Sequence, residues 1–369
     1  MKYYIIAGEA SGDLHGSNLI KELHKLDADA EIRCWGGDKM KAAGATLVKH
    51  YKELAFMGFA EIIKNLPAIL KNFKFCKEDI SAFQPDVIIF IDYPGFNLRM
   101  AKWAKENKYK TVFYISPQVW AWKESRVKNI KKYIDKMIVI LPFEKDFFKK
   151  WNYKVDYVGH PLVNVVNDFK KAHPEIHVSE NTIALLPGSR KQEINTKLPV
   201  MLQASKNFPG YQFIVAKAPS IEDEFYEGFI KDYKNVRVIS NETYSLLMKS
   251  VAALVTSGTA TLETALFGVP EIVCYRAGNI SYQLAKRLVK LKFISLVNLI
   301  MNKEVVKELI QNDLTAEKIT SELKTILFDP EKRKKMKADY SQLKYLLSEG
   351  GNASENAAKI IYEFVTVNE

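Results

Sequence analysis

An eight-residue stretch, Thr256 to Glu263, places hydroxyls and a glycine ahead of a carboxylate. It follows an apolar run, 251–255, typical of a buried parallel strand, and it opens a predicted helix over 259–267 that Gly268 ends. The first N–H groups of a helix have no partner inside it, so they can bind a phosphate. Glu263 comes one turn later, where its carboxylate could accept hydrogen bonds from the hydroxyls of a sugar. The stretch fits a nucleoside diphosphate site and an ordinary capped helix equally well. The candidate phosphate-binding residues are Ser257, Gly258, Thr259 and Ala260.

A second glycine-containing turn, 185–190, ends another apolar run with a basic residue. Gly188 permits close backbone approach, Ser189 offers a hydroxyl, and Arg190 has a planar guanidinium that suits phosphate oxygens. Lys191 follows, and cations at the start of a helix oppose its dipole. A purely structural explanation must account for the unfavourable interaction of these cations with the helix dipole. A bound diphosphate would account for it, so the pattern favours diphosphate binding.

One carboxylate, Asp92, is expected at the carboxyl end of a strand. In that position it could act as a general base and take the proton of an attacking hydroxyl. It could also simply cap the turn before a helix that starts at Pro94. The residues alone leave both interpretations open.

Further polar and aromatic residues in the first half of the chain are candidates for binding an acceptor. The glycine-rich stretch 8–16 is expected to be a loop between a strand and a helix, and it lacks the GxGxxG pattern, so it does not indicate a nicotinamide cofactor. The aromatic stretch 116–122 leads into basic residues, a combination that suits a phosphorylated amphiphile but also fits a core with a solvated surface. Each candidate has a structural alternative as a turn, cap, hinge or core residue. The candidates are Glu9, Ser11, Asp13, His15, Trp120, Trp122, Lys123, Arg126 and His160.

The stretch 56–75 alternates apolar and basic residues at helical spacing and contains Pro67. Such a segment could lie on an anionic membrane, with Phe59, Ile62 and Leu66 among its apolar residues. A helix that packs on a sheet has the same apolar stripe. The basic bias favours the membrane.

Bulk composition limits the class of protein. The chain has 369 residues, 47% hydrophobic and 26% charged, which is typical of a soluble protein with two domains. Acidic residues follow the N-terminal apolar run too closely for a signal peptide, so we expect a cytoplasmic protein. Its three distant cysteines indicate buried thiols. A net charge of +11 calls for an anionic partner, but no nucleic-acid-binding signature is present. The acidic pair Asp27 and Asp29 is expected in a solvated loop, so we predict neither a metal nor a cofactor.

Strand and helix signals alternate along the chain, which predicts an α/β fold of parallel sheets covered by helices. The alternation lapses at about 164–180, where we expect a linker between two domains. The predicted architecture is GT-B-like, with two doubly wound Rossmann-like domains facing a cleft. The first would comprise 1–163, completed by a C-terminal helix at 341–369, and the second 164–340.

Taken together, the motifs resemble the lipid-A-disaccharide synthase family, inverting GT-B glycosyltransferases. The motifs run in family order over nearly the whole chain, with Gly95 as a departure where the family commonly has another residue. They are GEASGDLHG, IDYPGFN, SPQVWAW, LPFE, VGHP, LLPGSR, TSGTATLE, the pair Tyr275 and Arg276, and SLVNL at 295–299.

The resemblance implies transfer of 2,3-diacylglucosamine from UDP to the 6-hydroxyl of 2,3-diacylglucosamine 1-phosphate (lipid X). Asp92 would be the base, and Arg190 with the N–H groups at 258–260 would neutralise the leaving diphosphate without a metal. Glu263 would hold the ribose, with Tyr275 and Asn298 near the donor. The resemblance also implies peripheral association with the inner membrane and permits a homodimer formed by exchange of C-terminal elements.

Two other functions remain open at this point. A UDP-N-acetylglucosamine 2-epimerase or a peptidoglycan sugar transferase would share the diphosphate site but would not need the 116–122 motif. A non-catalytic anion-binding module would use only the positive charge.

Overall fold

A computed structural model describes residues 1–54, 66–122, 124–219, 221–278 and 292–367. The chain divides into an N-terminal unit, residues 1–161 with 347–369, and a C-terminal unit, residues 162–346. The predicted stretch 56–75 therefore lies partly outside the described residues, as does Lys123.

A seven-stranded parallel sheet forms the centre of the N-terminal unit, in the order β3-β2-β1-β4-β5-β6-β7. Its central strands are runs of apolar residues, as expected of strands covered on both faces. The short segments around β2 and β3 went unrecognised in the sequence because polar residues interrupt their apolar pattern. The strands are β1 (Lys2–Ala7), β2 (Glu31–Gly36), β3 (Thr46–His50), β4 (Val87–Ile91), β5 (Lys110–Tyr114), β6 (Lys136–Val139) and β7 (Asp156–Tyr157).

Helices cover this sheet, and the first begins at Ala10, inside the stretch expected to be a loop. The glycines allow close packing of that helix. A Cβ on Gly12 would lie 2.9 Å from the Cβ of Ala7, and one on Gly16 would lie 2.7 Å from the Sδ of Met40. The α-helices are α1 (Ala10–Leu26), α2 (Asp38–Ala42), α3 (Leu66–Phe83), α4 (Pro94–Glu106), α5 (Val119–Trp122), α6 (Val127–Tyr133) and α7 (Glu144–Lys149).

The C-terminal unit contains a six-stranded parallel sheet in the order β10-β9-β8-β11-β12-β13. Glycine ends its central helix as predicted, since Gly268 adopts a left-handed φ of 81°. The strands are β8 (Thr182–Leu186), β9 (Gln212–Lys217), β10 (Val236–Ser240), β11 (Ala252–Thr256), β12 (Glu271–Tyr275) and β13 (Lys307–Ile310). The α-helices are α8 (Pro161–Ala172), α9 (Lys191–Ser205), α10 (Asp223–Ile230), α11 (Thr243–Lys249), α12 (Thr259–Phe267), α13 (Leu296–Met301), α14 (Ala316–Phe328) and α15 (Pro330–Ser348).

The expected linker at 164–180 is wrong for its first half, which belongs to α8. Apolar contacts explain why this polar-looking segment is helical. The ring of Phe169 packs against Tyr244, with centroids 5.3 Å apart, and against Phe267, with centroids 6.1 Å apart. Tertiary packing therefore overrides a weak local pattern.

The last helix, α16 (Ala353–Thr366), belongs to the N-terminal unit. The side chain of Asn352 caps its start by accepting a hydrogen bond from the N–H of Glu355. At its other end, Lys110 of β5 donates to the carbonyl of Val365 at 2.9 Å. The proposed functional division into an acceptor domain and a UDP-sugar domain stays a prediction.

The three cysteines are free and buried. None of the described helices is long and apolar enough to span a bilayer.

Glu271, at the start of β12, is completely buried, and neither of its carboxylate oxygens has a hydrogen-bond partner among the described residues. Burial raises the pKa of this carboxyl well above its usual range. The folded protein therefore holds a proton that the unfolded chain releases, so the contribution of this carboxyl to stability is greatest below the unfolded pKa of glutamate, about 4, and falls as pH rises.

We expect Glu271→Gln to be more stable than the wild type at pH 8 and about equal at pH 5. The wild type loses about 1.4 kcal/mol for each pH unit over which only its unfolded form is ionised. Urea denaturation at both pH values measures this difference. Glu224→Gln, at an exposed position of the same unit, is the control. Equal pH dependence in all three proteins would show that Glu271 is ionised in the fold.

Candidate functional site

The strand order reverses once in each sheet, between β1 and β4 and between β8 and β11. Loops that leave two such neighbouring parallel strands form a crevice at their carboxyl ends, where ligands of α/β proteins bind. The pairing of Ala7 with Ile91 brings the residues around Glu9 next to those around Asp92. The pairing of Leu186 with Val255 does the same for the two predicted phosphate-binding turns.

Asp92 and Tyr93 both adopt left-handed backbone conformations, with φ of 43° and 50°. Such angles are costly for residues other than glycine and persist where neighbouring contacts impose them. The buried side chain of Asn97 supplies these contacts by donating to the carbonyls of Ile6 and Ile91, and to that of Asp92 at 2.7 Å. Asn97 thus explains part of the IDYPGFN motif.

The ring of Tyr93 lies directly over Gly8. A Cβ added there would be 2.3 Å from the Cγ of Tyr93, so this position requires glycine. The two turns therefore pack against each other, which holds Asp92 beside the start of α1.

Burial, together with the negative charge of Glu9, raises the pKa of Asp92 to about 7. A carboxylate with a pKa near neutrality suits a general base, since it is both available and basic enough to take a proton. The backbone N–H of Tyr93 acts in the opposite direction. The arrangement can therefore perform the proton transfer predicted for Asp92.

Two buried histidines occupy the same unit. Burial lowers the pKa of His15 to about 4. Burial and the nearby His15 together lower the pKa of His160 to about 3. Both rings are therefore neutral at physiological pH. The backbone N–H of His160 donates to the carbonyl of Leu347 at 2.9 Å, which holds the backbone at His160 against the end of α15.

Asp13 has a structural role, because its carboxylate accepts backbone hydrogen bonds from Gly37 at 2.8 Å, Lys39 at 3.2 Å and Met40 at 3.0 Å. These bonds cap the start of α2. Glu9 and Ser11, which flank Ala10, are partly exposed. They are thus more accessible to a ligand than Asp13.

Trp120 is buried, and its indole N–H donates to Glu144 at 3.2 Å. Glu144 also accepts from the backbone N–H of Leu141 at 3.0 Å, and burial raises its pKa to about 7. Ser116 is a further hydrogen-bond partner of this carboxylate. One buried acid thus joins the SPQVWAW and LPFE motifs. Trp120 is therefore a core residue, as the structural alternative for this motif predicted. The structure describes only the backbone of Trp122, and Lys123 lies outside the described residues.

Arg126 is partly buried, and its pKa is lowered by burial and then by the charge of Arg99. Two guanidinium groups that repel each other at a surface favour a bound anion between them. Binding of a phosphate at this position stays a prediction.

In the C-terminal unit, the turn after β8 is built around Glu193. The carboxylate of Glu193 accepts a hydrogen bond from the N–H of Ser189 at 3.1 Å and lies 3.9 Å from the guanidinium of Arg190. Gly188 has a φ of 127°, and a Cβ there would lie 2.5 Å from Glu193. The turn therefore needs glycine, and it presents Arg190, about half exposed at its side chain, at the start of α9.

The turn after β11 starts a helix with its N–H groups directed towards the same edge of the sheet. Gly258 has a φ of 143°, and a Cβ there would meet open space, so conformation rather than crowding favours glycine. The hydroxyl of Ser257 donates to the carbonyl of Ile294 at 2.9 Å. Thr259 and Ala260 are the first residues of α12, where helix geometry leaves N–H groups without a helical partner.

The carboxylate of Glu263 accepts a hydrogen bond from the hydroxyl of Tyr244 at 2.6 Å, and burial raises its pKa. This bond orients the side chain and leaves further lone pairs on its oxygens. Glu263 is thus held in place and can still accept hydrogen bonds.

Asn298 is completely buried and fully hydrogen-bonded. Its amide donates to Val306 and Glu308 and accepts from the N–H groups of Val305 and Val306. The side chain therefore supports the loop before β13. Tyr275 is the last residue of β12 and is partly exposed.

Within the described residues, no group of three His, Cys, Asp or Glu side chains could hold a metal ion. Sequence reasoning assigned no role to Glu144 or Asn97. Their only signal was a polar residue inside an apolar or aromatic motif, which local patterns do not interpret.

Comparison with known proteins identifies the family. The family model described as lipid-A-disaccharide synthetase matches residues 3–362. The lipid-A-disaccharide synthase of Geobacter metallireducens is 38% identical over 371 residues, covering 98% of this chain and 96% of that protein. The lipid-A-disaccharide synthase of Syntrophus aciditrophicus is 39% identical over 365 residues, covering 96% and 95%.

Solved structures share the fold at low identity. The UDP-GlcNAc 2-epimerase of Neisseria meningitidis, bound to UDP-GlcNAc, aligns with a TM-score of 0.66 at 15% identity, covering all of both chains. The glycotransferase of kitacinnamycin aligns with a TM-score of 0.68 at 12% identity, covering 99% of each chain. The predicted fold class, with two parallel-sheet Rossmann-like domains, is confirmed. The chain belongs to the lipid-A-disaccharide synthetase family of lipid A biosynthesis enzymes.

Proposed function

We propose that this enzyme transfers 2,3-diacylglucosamine from UDP to the 6-hydroxyl of 2,3-diacylglucosamine 1-phosphate, forming a β-1,6-linked disaccharide 1-phosphate and UDP. The observation that carries the mechanism is the position of Asp92 at the strand-order reversal, where burial and Glu9 raise its pKa to about 7. The reaction requires a group that removes one proton from the acceptor hydroxyl as the new C–O bond forms.

The C-terminal unit is the donor-binding half in this proposal. Arg190 and the N–H groups of Gly258, Thr259 and Ala260 stabilise the negative charge that develops on the departing diphosphate. Glu263, oriented by Tyr244, accepts hydrogen bonds from the ribose hydroxyls. Ser257, Gly188 and Ser189 shape the two turns. Because these groups supply the charge stabilisation, the proposal requires no metal.

The N-terminal unit binds the acceptor in this proposal. Glu9 and Ser11 are exposed enough to contact its sugar, while Arg126 beside Arg99 suits the 1-phosphate. Asp13, His160 and Glu144 act indirectly, by holding the surrounding backbone and Trp120 in place. A direct acceptor contact of His15, Trp122 or Lys123 stays a prediction.

We also propose that α3 contributes to contact with an anionic membrane, in which the acylated substrates reside. On this helix Leu70 is 59% exposed and Phe75 is 42% exposed, and the exposed Lys71 and Lys74 lie between them. Apolar side chains with interleaved lysines are typical of a segment at a membrane surface. Association with the inner membrane and a homodimer through C-terminal exchange stay predictions.

The assay that tests the function mixes the enzyme with UDP-2,3-diacylglucosamine and 2,3-diacylglucosamine 1-phosphate. We expect UDP release with formation of the disaccharide 1-phosphate. Asp92→Asn should lower turnover by about 10²- to 10⁴-fold, the contribution of a positioned general base, while UDP affinity measured by calorimetry stays the same. Wild-type protein that forms no disaccharide would overturn the function, and normal turnover of Asp92→Asn would assign Asp92 to turn capping.

The pH profile gives an independent test of the base. Only ionised Asp92 accepts a proton, so kcat/KM should rise with pH and level off above about 7. Since the charge of Glu9 raises this pKa, Glu9→Gln should move the inflection to lower pH. An inflection that stays in place in Glu9→Gln and persists in the residual activity of Asp92→Asn would belong to another group.

Membrane contact through α3 is tested by flotation with vesicles that contain anionic lipid. Leu70→Gln combined with Phe75→Gln should reduce the bound fraction, because less apolar surface enters the bilayer. Phe328→Gln, at a 64% exposed position of the C-terminal unit, is the matched control and should bind like the wild type. Equal binding by the double variant would exclude α3 from the contact. Circular dichroism checks that the variants remain folded.

A further inference from the structure

Lys197 lies in the middle of α9 and is only 2% exposed. Lysine is rarely buried to this extent without an acidic partner, because transfer of an ammonium from water is costly. Its position on the helix that Arg190 begins places it in the donor-binding half of the protein.

The ammonium of Lys197 donates a hydrogen bond to the hydroxyl of Thr256. An ammonium has three N–H donors, and within the described ranges Thr256 is the only acceptor that the structure gives it. No carboxylate of the described residues forms an ion pair with it. Lys197 is therefore a buried cation with a neutral partner.

Nearby groups offset the cost of this burial only in part. Loss of solvent lowers the pKa of Lys197, Glu193 and then Cys274 act in the opposite direction, and Arg190 lowers the pKa again. Glu193 is itself hydrogen-bonded to Ser189 and close to Arg190. Two cations thus share one carboxylate, which leaves an excess of positive charge beneath the turn.

Thr256 links this charge to the turn. It is the last residue of β11, is partly exposed, and immediately precedes Ser257 and Gly258. Because its oxygen accepts from Lys197, its own hydrogen remains available to a ligand. A methionine or leucine at 197 would fill a similar volume without the cost of a buried charge, so packing alone does not explain lysine.

We infer that Lys197 is a buried cation of the diphosphate site, acting together with Arg190 and polarising the hydroxyl of Thr256 towards the leaving UDP. The inference rests on the proposed function and adds a residue to its donor site. Lys197 is a positioning residue where it acts through Thr256, and its charge acts on the diphosphate through space. An anion bound nearby would offset the desolvation cost that the ligand-free protein bears.

Lys197→Met tests this by separating stability from binding. We expect its affinity for UDP to fall about tenfold or more, the effect of losing one charge-assisted interaction. Its affinity for uridine, which carries no phosphate, should not change. The melting temperature of the ligand-free protein should stay the same or rise, because an uncompensated buried charge is removed. Titration calorimetry and thermal denaturation measure these quantities.

Lys170→Met is the matched control in the same unit. Lys170 is also partly buried, but its ammonium donates to the carbonyls of Leu266 and Phe267, at the opposite end of α12 from the turn. This variant should lower the melting temperature and leave UDP affinity unchanged. The control thus shows how the removal of a purely structural lysine changes the melting temperature and the affinity for UDP.

Thr256→Val provides a second variant that keeps the lysine and removes only the hydroxyl. We expect it to weaken UDP binding, by less than Lys197→Met, with unchanged uridine binding. Wild-type affinity for UDP in both variants would overturn the inference, as would a parallel loss of stability and of uridine binding in Lys197→Met.

The wild type and Arg190→Ala separate failure of the inference from failure of the function. A wild type that binds no UDP contradicts the proposed function itself. UDP binding that Arg190→Ala weakens and Lys197→Met leaves intact rejects only the role of Lys197.

Discussion

Parallel pairing of β1 with β4 and of β8 with β11 is the constraint on which the candidate site depends. Each pair lies where the strand order reverses, so the connections that follow its two strands run to opposite faces of the sheet and leave a crevice between them. Because the two strands of each pair are hydrogen-bonded neighbours, Asp92 lies close to Glu9, and the turn that contains Arg190 lies close to the turn that contains Gly258. Residues far apart in the chain thereby form two compact groups, one in each unit.

Several buried charges and acids surround these groups, and each carries a desolvation cost. Asp92 and Glu144 both have pKa values raised to about 7 by burial, whereas His15 and His160 are held neutral. Lys197 remains without an acidic partner in the part of the chain that the structure describes. Glu144 differs from Lys197 because its hydrogen bonds to the backbone N–H of Leu141 and to Trp120 account for it within the fold. The buried groups of this protein thus differ in how far neighbouring groups offset the cost of their desolvation.

Local patterns in the chain predicted the central strands and α12 well, since apolar runs and the glycine stop at Gly268 are short-range signals. The same reasoning failed where tertiary contacts decide the structure. The polar start of the expected linker is helical because Phe169 packs against other rings. The glycine-rich stretch after β1 is helical because Gly12 and Gly16 permit close packing.

By itself the sequence determined the alternating α/β fold, the family, and the loops in which Asp92, Arg190 and Gly258 lie, because these depend on residue types over a few positions. Only the tertiary structure decided the backbone conformation, burial and hydrogen-bond partners of those residues. Asn97 imposes the left-handed backbone of Asp92 through carbonyls as distant as Ile6, and Lys197 meets Thr256 across 59 positions. Burial, pKa and hydrogen-bond partners arise from contacts between distant segments, and no local pattern encodes them.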